Sequence, residues 1–461
     1  MKRHCSERRT LAGQAGLLAG LAAGVVVIVF SGSALGHRSA RVDVGERLAA
    51  THVPPLLTAP GEPVALRYDA YCVGGEEGDE SSCDVEGVAY VRQGESGEFT
   101  GIPIMLDVSA TEGRYVAALP EAASWNDGFS YYAVFVDRAN GATVTLPSGG
   151  ASAPQRSIPL GSAVQIELGR HAFGVTRRHD SRVAHAAWGN GAKDVGLEQG
   201  RNLPPIGGSS FDVGRNDTVL VLDEAHRRLL SWRKGARTPE AVPVAIAGTL
   251  ADMSLAPDGT IYILESVAAR GRSLVRRFDS HGRDLEAFEI AEPTSSQIRI
   301  GPEGPVTLQH PSGQWMPVAS GGSPLGADGQ RRRGRAGRLL SGGREIVILR
   351  HQNEIRVALR RANGSRLSWR VTSETPLAEV QLAEPLGNRV VLVVRAYTDD
   401  RDELVALVLG ERGVAAKYSL ESADWAETAP LTRFRLVGSS LYQLGSTPAG
   451  LFVDRFDLEV N

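Results

Sequence analysis

Short apolar runs separated by turn residues dominate the chain. Between residues 58 and 158 the runs "PVALRYDAYCV", "GVAYVRQ", "GRYVAALP" and "FSYYAVFVDRANGATVTLP" are rich in Val, Tyr and Phe, with Gly, Asn, Asp and Pro between them. β-Branched and aromatic residues bounded by such breakers predict strands. In the last run Tyr131–Val136 alternates, Asn140 and Gly141 supply the turn, and Val144–Leu146 returns, which predicts a hairpin. About 100 residues with this strand count suit a β-sandwich. The small, Pro/Gly/Ser-rich stretch "PSGGASAPQRS" then marks a boundary.

From residue 160 to the end the pattern acquires a period. Apolar cores follow turn residues at Val219, Ile261, Val306, Ile346, Val390 and Leu441, in steps of 42, 45, 40, 44 and 51. Each is preceded by another short strand: "SSFDV", "ADMSLA", "SQIRI", "GRLLS", "AEVQLA" and "TRFRLV". Four short strands and their turns occupy about 40–45 residues, the repeat of a propeller blade. Six copies predict about six four-stranded blades closed into a ring, which leaves few strand edges open. Five or seven blades are the alternatives. The last copy ends after three strands, so its fourth is expected from "AVQIELG" or "VAHAAWG", ahead of the first copy.

Two family resemblances follow from these residues. "FDVGRNDTVLVLDEAHRRLLSW" resembles an NHL-type propeller repeat in Asp223, Arg228, Leu229 and Trp232. His226 stands where that family usually has Asn, which puts the usual turn contact in question. "MSLAPDGTIYILES" through "RRFDSHGR" matches with an insertion, "IRIGPEGPVTLQ" matches in part, and the later copies keep only the period. The hairpin "YYAVFVDRANGATVTLP" is similar to those that end bacterial immunoglobulin-like or fibronectin-like domains, which implies an Ig-like sandwich over 58–158. Cys72 and Cys83 are too close in sequence for the usual inter-sheet pair of that fold.

The first residues decide the expected address. "MKRHCSERRT" carries Lys2, Arg3, Arg8 and Arg9, and an apolar stretch, Leu11 to Gly36, follows. Positive charge before such a run keeps the N-terminus in the cytoplasm and sends the rest across a membrane. The run is long enough for an anchor, which needs about 20 residues. "ALG" before His37 also resembles a cleavage site, so residues 1–36 are read as a signal anchor or a cleaved signal peptide. Residues 37–57 read as a linker, polar and then Pro-containing. The bulk is therefore expected outside the cytoplasm, on the membrane or secreted. Export permits a Cys72–Cys83 disulfide, worth about 3 kcal/mol in the chain-entropy model.

Composition narrows the classes of function. Net charge is -3 over 461 residues, which gives no reason to expect nucleic acid as a partner. Lysine occurs only at Lys2, Lys193, Lys234 and Lys417, beside many arginines; with abundant Ala and Gly this suits a GC-rich bacterial genome. No nucleophile elbow, H-E-x-x-H or Cys–His signature is present. Asp223 and Glu265 end the second strand of consecutive repeats, and His310 and Arg350 fall at the same offset in the next two. In a closed ring these positions share one face, as a polar ligand site or as acids that bind turn N–H groups.

Other groups carry competing readings. "RHAFGVTRRHDSRVAH" holds His171, His179, Asp180 and His185, at spacings that match no metal pattern. "CVGGEEGDESSCD" offers Glu76, Glu77, Asp79, Glu80 and Asp84 to calcium, or a solvated hairpin tip. "GADGQRRRGRAGR" carries Arg331, Arg332, Arg333 and Arg335, suited to an anionic cell-wall polymer or lipid head groups, or to a solvated loop. Residues 188–208 lack the order of a phosphate loop and read as a long connection into the first blade. The expected function is a non-catalytic binding or scaffold module of a bacterial cell envelope, with an unknown protein or envelope polymer as partner, no catalytic residues and no cofactor. The alternative is a lactonase-like or lyase-like enzyme using calcium or another divalent metal, with Asp223, Glu265, His226 and His310 around metal-activated water.

Overall fold

The computed structural model describes residues 47–459 except 74–83, 109–112, 120–124, 201–203, 248–249, 268–271, 293, 310–311, 352 and 430. The expected signal segment, Cys83, the acidic stretch 76–80 and His310 lie outside the described residues. Among the described residues no helix is long and apolar enough to cross a membrane.

Among the described residues the N-terminal part is a β-domain of nine strands in the order 47–52, 64–73, 114–119, 100–106, 85–93, 129–137, 155–159 and 57–58, with 143–146 paired to 129–137. Strand Thr100–Leu106 pairs along part of its length with Val85–Gln93 and at Met105 and Leu106 with Arg114–Leu119. The sheet thereby folds over on itself. Leu66, Tyr68, Ala117 and Leu119 from one half meet Ala89, Val91, Tyr131, Ala133 and Phe135 from the other. The hairpin forms as expected: Val136 pairs with Thr143, and Asn140 Oδ1 accepts the Ala142 N–H at 2.8 Å. The stretch read as a linker behaves differently. Arg47–His52 is a strand, in register with Tyr68–Val73. Its alternation is too short to stand out in the sequence, and Leu48 is buried only because a partner strand lies beside it.

Residues 164–459 form six blades around an axis. The first four-stranded sheet is Ser210–Val213, Val219–Asp223, Arg228–Trp232 and Glu240–Pro243, and the second runs from Asp252–Leu255 to Asp284–Glu289. All six periodic apolar residues, Val219 to Leu441, fall in the second strand of a blade. The blades are not uniformly four-stranded. The third sheet has three strands, ending at Trp315–Pro317, and a short helix, Ala327–Arg332, stands in the connection after it. Pro317 has no N–H to offer a further strand on that edge. The fourth sheet has five, because Val164–Glu167 adds to its outer edge in parallel with Arg366–Thr372.

Of the two stretches that could close the ring, "VAHAA" does so. Ser181–Ala187 pairs antiparallel with Gly450–Asp457 and completes the sixth blade. Between these two outer strands, residues 168–180 run past the fifth blade. There His171 Nε2 lies 2.9 Å from Glu403, both nearly buried, and the Arg177 N–H donates to Ser419 O at 2.7 Å.

Candidate functional site

The turn 224–227 and the connections that lead into each first strand lie on one face of the ring, here called the Asp223 face. Asp223 is fully buried at the end of its strand. It accepts the Gly196 N–H at 3.1 Å and the Arg228 Nε–H at 2.8 Å, and His226 Nδ1 stands 2.8 Å away. Arg228 also donates to Gly191 O and Asp194 O. His226 in this turn thus contacts the Asp223 carboxylate. A Cβ on Gly196 would come within 2.5 Å of Ala225 and 2.9 Å of the Asp223 carboxylate, so this close approach requires glycine.

Glu265 repeats the arrangement one blade on. It is buried, accepts the Ala247 N–H at 2.6 Å, and lies 3.7 Å from Arg276. In both blades an acid at the end of the second strand holds the connection entering its own blade. Arg350, at the same offset in the fourth blade, donates to Leu377 O at 3.3 Å, a carbonyl of the fifth. The structure therefore places Asp223, Glu265 and Arg350 at like positions in separate blades, each in its own backbone contact, and does not bring them together. Glu224, missed in the sequence, binds the Leu250 and Ala251 N–H groups of the next connection, and burial pushes its carboxyl above the usual range.

The axis holds what sequence reasoning overlooked. Each first strand is an edge of its sheet, so its inward-facing N–H and C=O groups need partners. Each first strand supplies a charge to the axis: Asp212, Asp252, Arg299, Arg338, Glu384 and Arg435, in chain order. Asp212 accepts the Leu255 N–H of the second blade at 2.8 Å, and Asp252 accepts the Ile298 N–H of the third at 2.8 Å. The guanidiniums serve the carbonyls. Arg435 donates to Phe434 O and Met253 O, and Arg299 donates to Ile298 O and Leu431 O.

The charges also pair. Arg299 and Arg435 both lie 3.2 Å from Asp252, and Arg338 is paired with Glu384. Arg299 and Gln297, on the third blade, reach Leu431 O, on the connection to the sixth. In a ring of six these blades are opposite, so the axis is crossed by hydrogen bonds. Leu431 adopts φ 60, left-handed backbone that turns its carbonyl to these donors. Burial, with Arg435 and Arg338 adding to it, pulls Arg299 down to about 10, so it remains charged at neutral pH. That the six converge was not legible in the repeat, because it depends on closure.

The histidine group is dispersed. His171 meets Glu403, His179 lies 3.1 Å from Asp454, and Asp180 accepts from Arg177 and the Asp457 N–H. Among the described residues no three His, Cys, Asp or Glu side chains are grouped to hold a metal ion. The basic stretch expected as a loop includes the helix Ala327–Arg332, anchored by buried Gln330, which binds Ala291 N–H, Glu289 O and Leu325 O. Arg331 is paired with Glu292 and Arg333 lies 3.6 Å from Glu303, while Arg332 and Arg335 are exposed.

No family model matches the chain, and no curated protein sequence does. Among solved structures, virginiamycin B lyase from Staphylococcus aureus is similar at 10% identity over 54% of this chain and 94% of its own, with a TM-score of 0.32. YCF48 bound to D1 peptide is 12% identical over 60% of this chain and 98% of its own, TM-score 0.29. Polysaccharide lyase Uly1 is 7% identical over 72% and 85%, TM-score 0.30. These similarities are too slight to bear on activity, and the six-bladed fold stands on the chain's own sheets.

Proposed function

We propose that this chain is a non-catalytic binding or scaffold protein of a bacterial cell envelope. Its N-terminal segment anchors or exports it, its N-terminal β-domain is Ig-like, and its propeller presents a docking face. The observation that carries this reading is the crossed axis. A metal-dependent propeller enzyme needs free carboxylates or imidazoles converging on one cation. Here the axial carboxylates are spent on edge N–H groups and on guanidiniums, and a divalent cation placed among them would meet the charges of Arg299 and Arg435. Asp223 and Glu265, candidates of the rival enzyme, serve separate connections. The NHL-type reading of the first blade is supported by Asp223 with Arg228.

Metal analysis of the purified chain tests the choice. The expected result is no stoichiometric divalent metal and a thermal midpoint unmoved by chelator. One tightly held metal per chain would overturn the binding-module reading in favour of the enzyme.

A further inference from the structure

Two connections meet on the Asp223 face, 188–209 into the first blade and 421–433 into the sixth. Glu198 and Ile206 bridge antiparallel, and Ile206 bridges Glu427 in parallel. The Glu427 N–H donates to Pro205 O at 2.8 Å and the Gly207 N–H to Glu427 O at 3.3 Å. This small ladder holds Trp188 beside Trp425, their ring centroids 5.9 Å apart and their planes tilted by 39°. The Trp188 Nε1–H donates to Thr447 O at 2.8 Å. Its ring lies so close to Gly207 that a Cβ there would come within 2.7 Å.

Both tryptophans are half-buried, whereas Trp232 and Trp369 are closed into the core. A fixed, partly open indole pair presents large contact area at little entropic cost, which is why Trp recurs at binding hot spots. Among the described residues the surrounding charge is mainly negative. Among the described residues of the two connections, the carboxylates are Asp194, Glu198, Glu421, Asp424 and Glu427, against Lys193 and Arg433. Arg433 is spent on Asp424, at 3.3 Å, and on Ser422 O. Glu198 and Glu427 are exposed.

An aromatic pair with surplus carboxylate suits a cation that has an apolar stem. We propose that this patch docks a basic segment of a partner polypeptide, with an Arg or Lys side chain against Trp188 and Trp425 and its charge toward Glu198 and Glu427. The proposal rests on the binding-module reading and names the surface and the chemistry of its partner.

The probe is a capped nine-residue Arg-Gly peptide, with a Glu-Gly peptide of the same length as control, titrated into the full chain by tryptophan fluorescence at low salt. The expected result is saturable binding of the Arg-Gly peptide alone, weakened about tenfold, or 1.4 kcal/mol, in W425A and in E198Q/E427Q. Circular dichroism and the thermal midpoint check each variant's fold, and the double Gln variant leaves the indoles in place. Equal binding of both peptides, no binding, or unchanged binding in a folded variant would overturn the proposal. If R332E/R335E weakens binding and W425A does not, docking lies at the helix 327–332. That overturns this surface and leaves the binding module standing, whereas a stoichiometric metal would remove both.

Discussion

Asp252 accepts a hydroxyl hydrogen bond from Ser210, backbone N–H groups from Met253 and Ile298, and contacts from Arg299 and Arg435, all within the buried axis. Removing the carboxylate leaves two guanidiniums buried with less than their countercharge. D252A should therefore cost about 3–5 kcal/mol, seen as a lower urea midpoint, while a change at exposed Arg332 should leave the midpoint nearly unmoved. His52 acts in the other domain. Its Nδ1–H donates to Arg67 O at 2.5 Å and its Nε2 accepts from the Tyr131 hydroxyl at 2.6 Å. Burial lowers this imidazole to about 4, so it stays neutral in the fold while the unfolded chain takes up a proton near 6.5. The unfolded state then binds more protons, and stability declines as pH falls from about 6.5 to about 4, by at most about 3 kcal/mol. Urea unfolding at pH 7 and pH 5 should show that loss in the wild type and a smaller one in H52Q.

Ring closure is decided by single elements. The strand Ser181–Ala187 has no pattern that separates it from Val164–Glu167, yet one completes the sixth blade and the other extends the fourth. Register against Gly450–Asp457 selects the first: Ala184 and Ala186 turn inward onto Leu444, Leu451 and Val453. Gly450 makes the approach possible. A Cβ there would stand 2.3 Å from Ala186 O, at φ 157. G450A should push the closing strand away, costing on the order of 2 kcal/mol or more. Amide exchange should quicken in 181–187 and 450–457 before it does in the second blade. The acids that end the second strands were legible as a recurrence. Their role was not, since Gly196 and Ala247 lie 27 and 18 residues from the acids they bind.

The N-terminal β-domain and the propeller share a packed junction. Leu56, Leu57 and Leu160 pack with Ala336, Val347 and Ala358 of the propeller. Arg356, nearly buried in the fourth blade, donates to Leu57 O at 3.0 Å and pairs with Glu62 at 2.7 Å and with Glu354. R356A removes the ion pair that spans the junction and leaves Glu354 without one of its two guanidiniums. We expect calorimetry to resolve two transitions in the variant, the N-terminal β-domain melting first, where the wild type shows one. Cooperativity between domains depends on the interface they share, so a single unchanged transition would show the leucine contacts to be sufficient.

The alternation and spacing of apolar residues determined the strands, the six-fold period and the hairpin at Asn140–Gly141, because these follow from local pattern and turn chemistry. Nothing in that pattern sets the six axial charges, from Asp212 to Arg435, apart from neighbours such as Glu379, which shares a strand with Glu384. Tertiary structure alone decided that these six charges meet. An edge strand's unpaired N–H is visible only once its neighbour across the axis is known, and no periodicity records which blades face each other. The same holds for Trp188 and Trp425, 237 positions apart in the chain. Closing the ring sets them side by side, because the first blade's incoming strand belongs to the last blade's sheet.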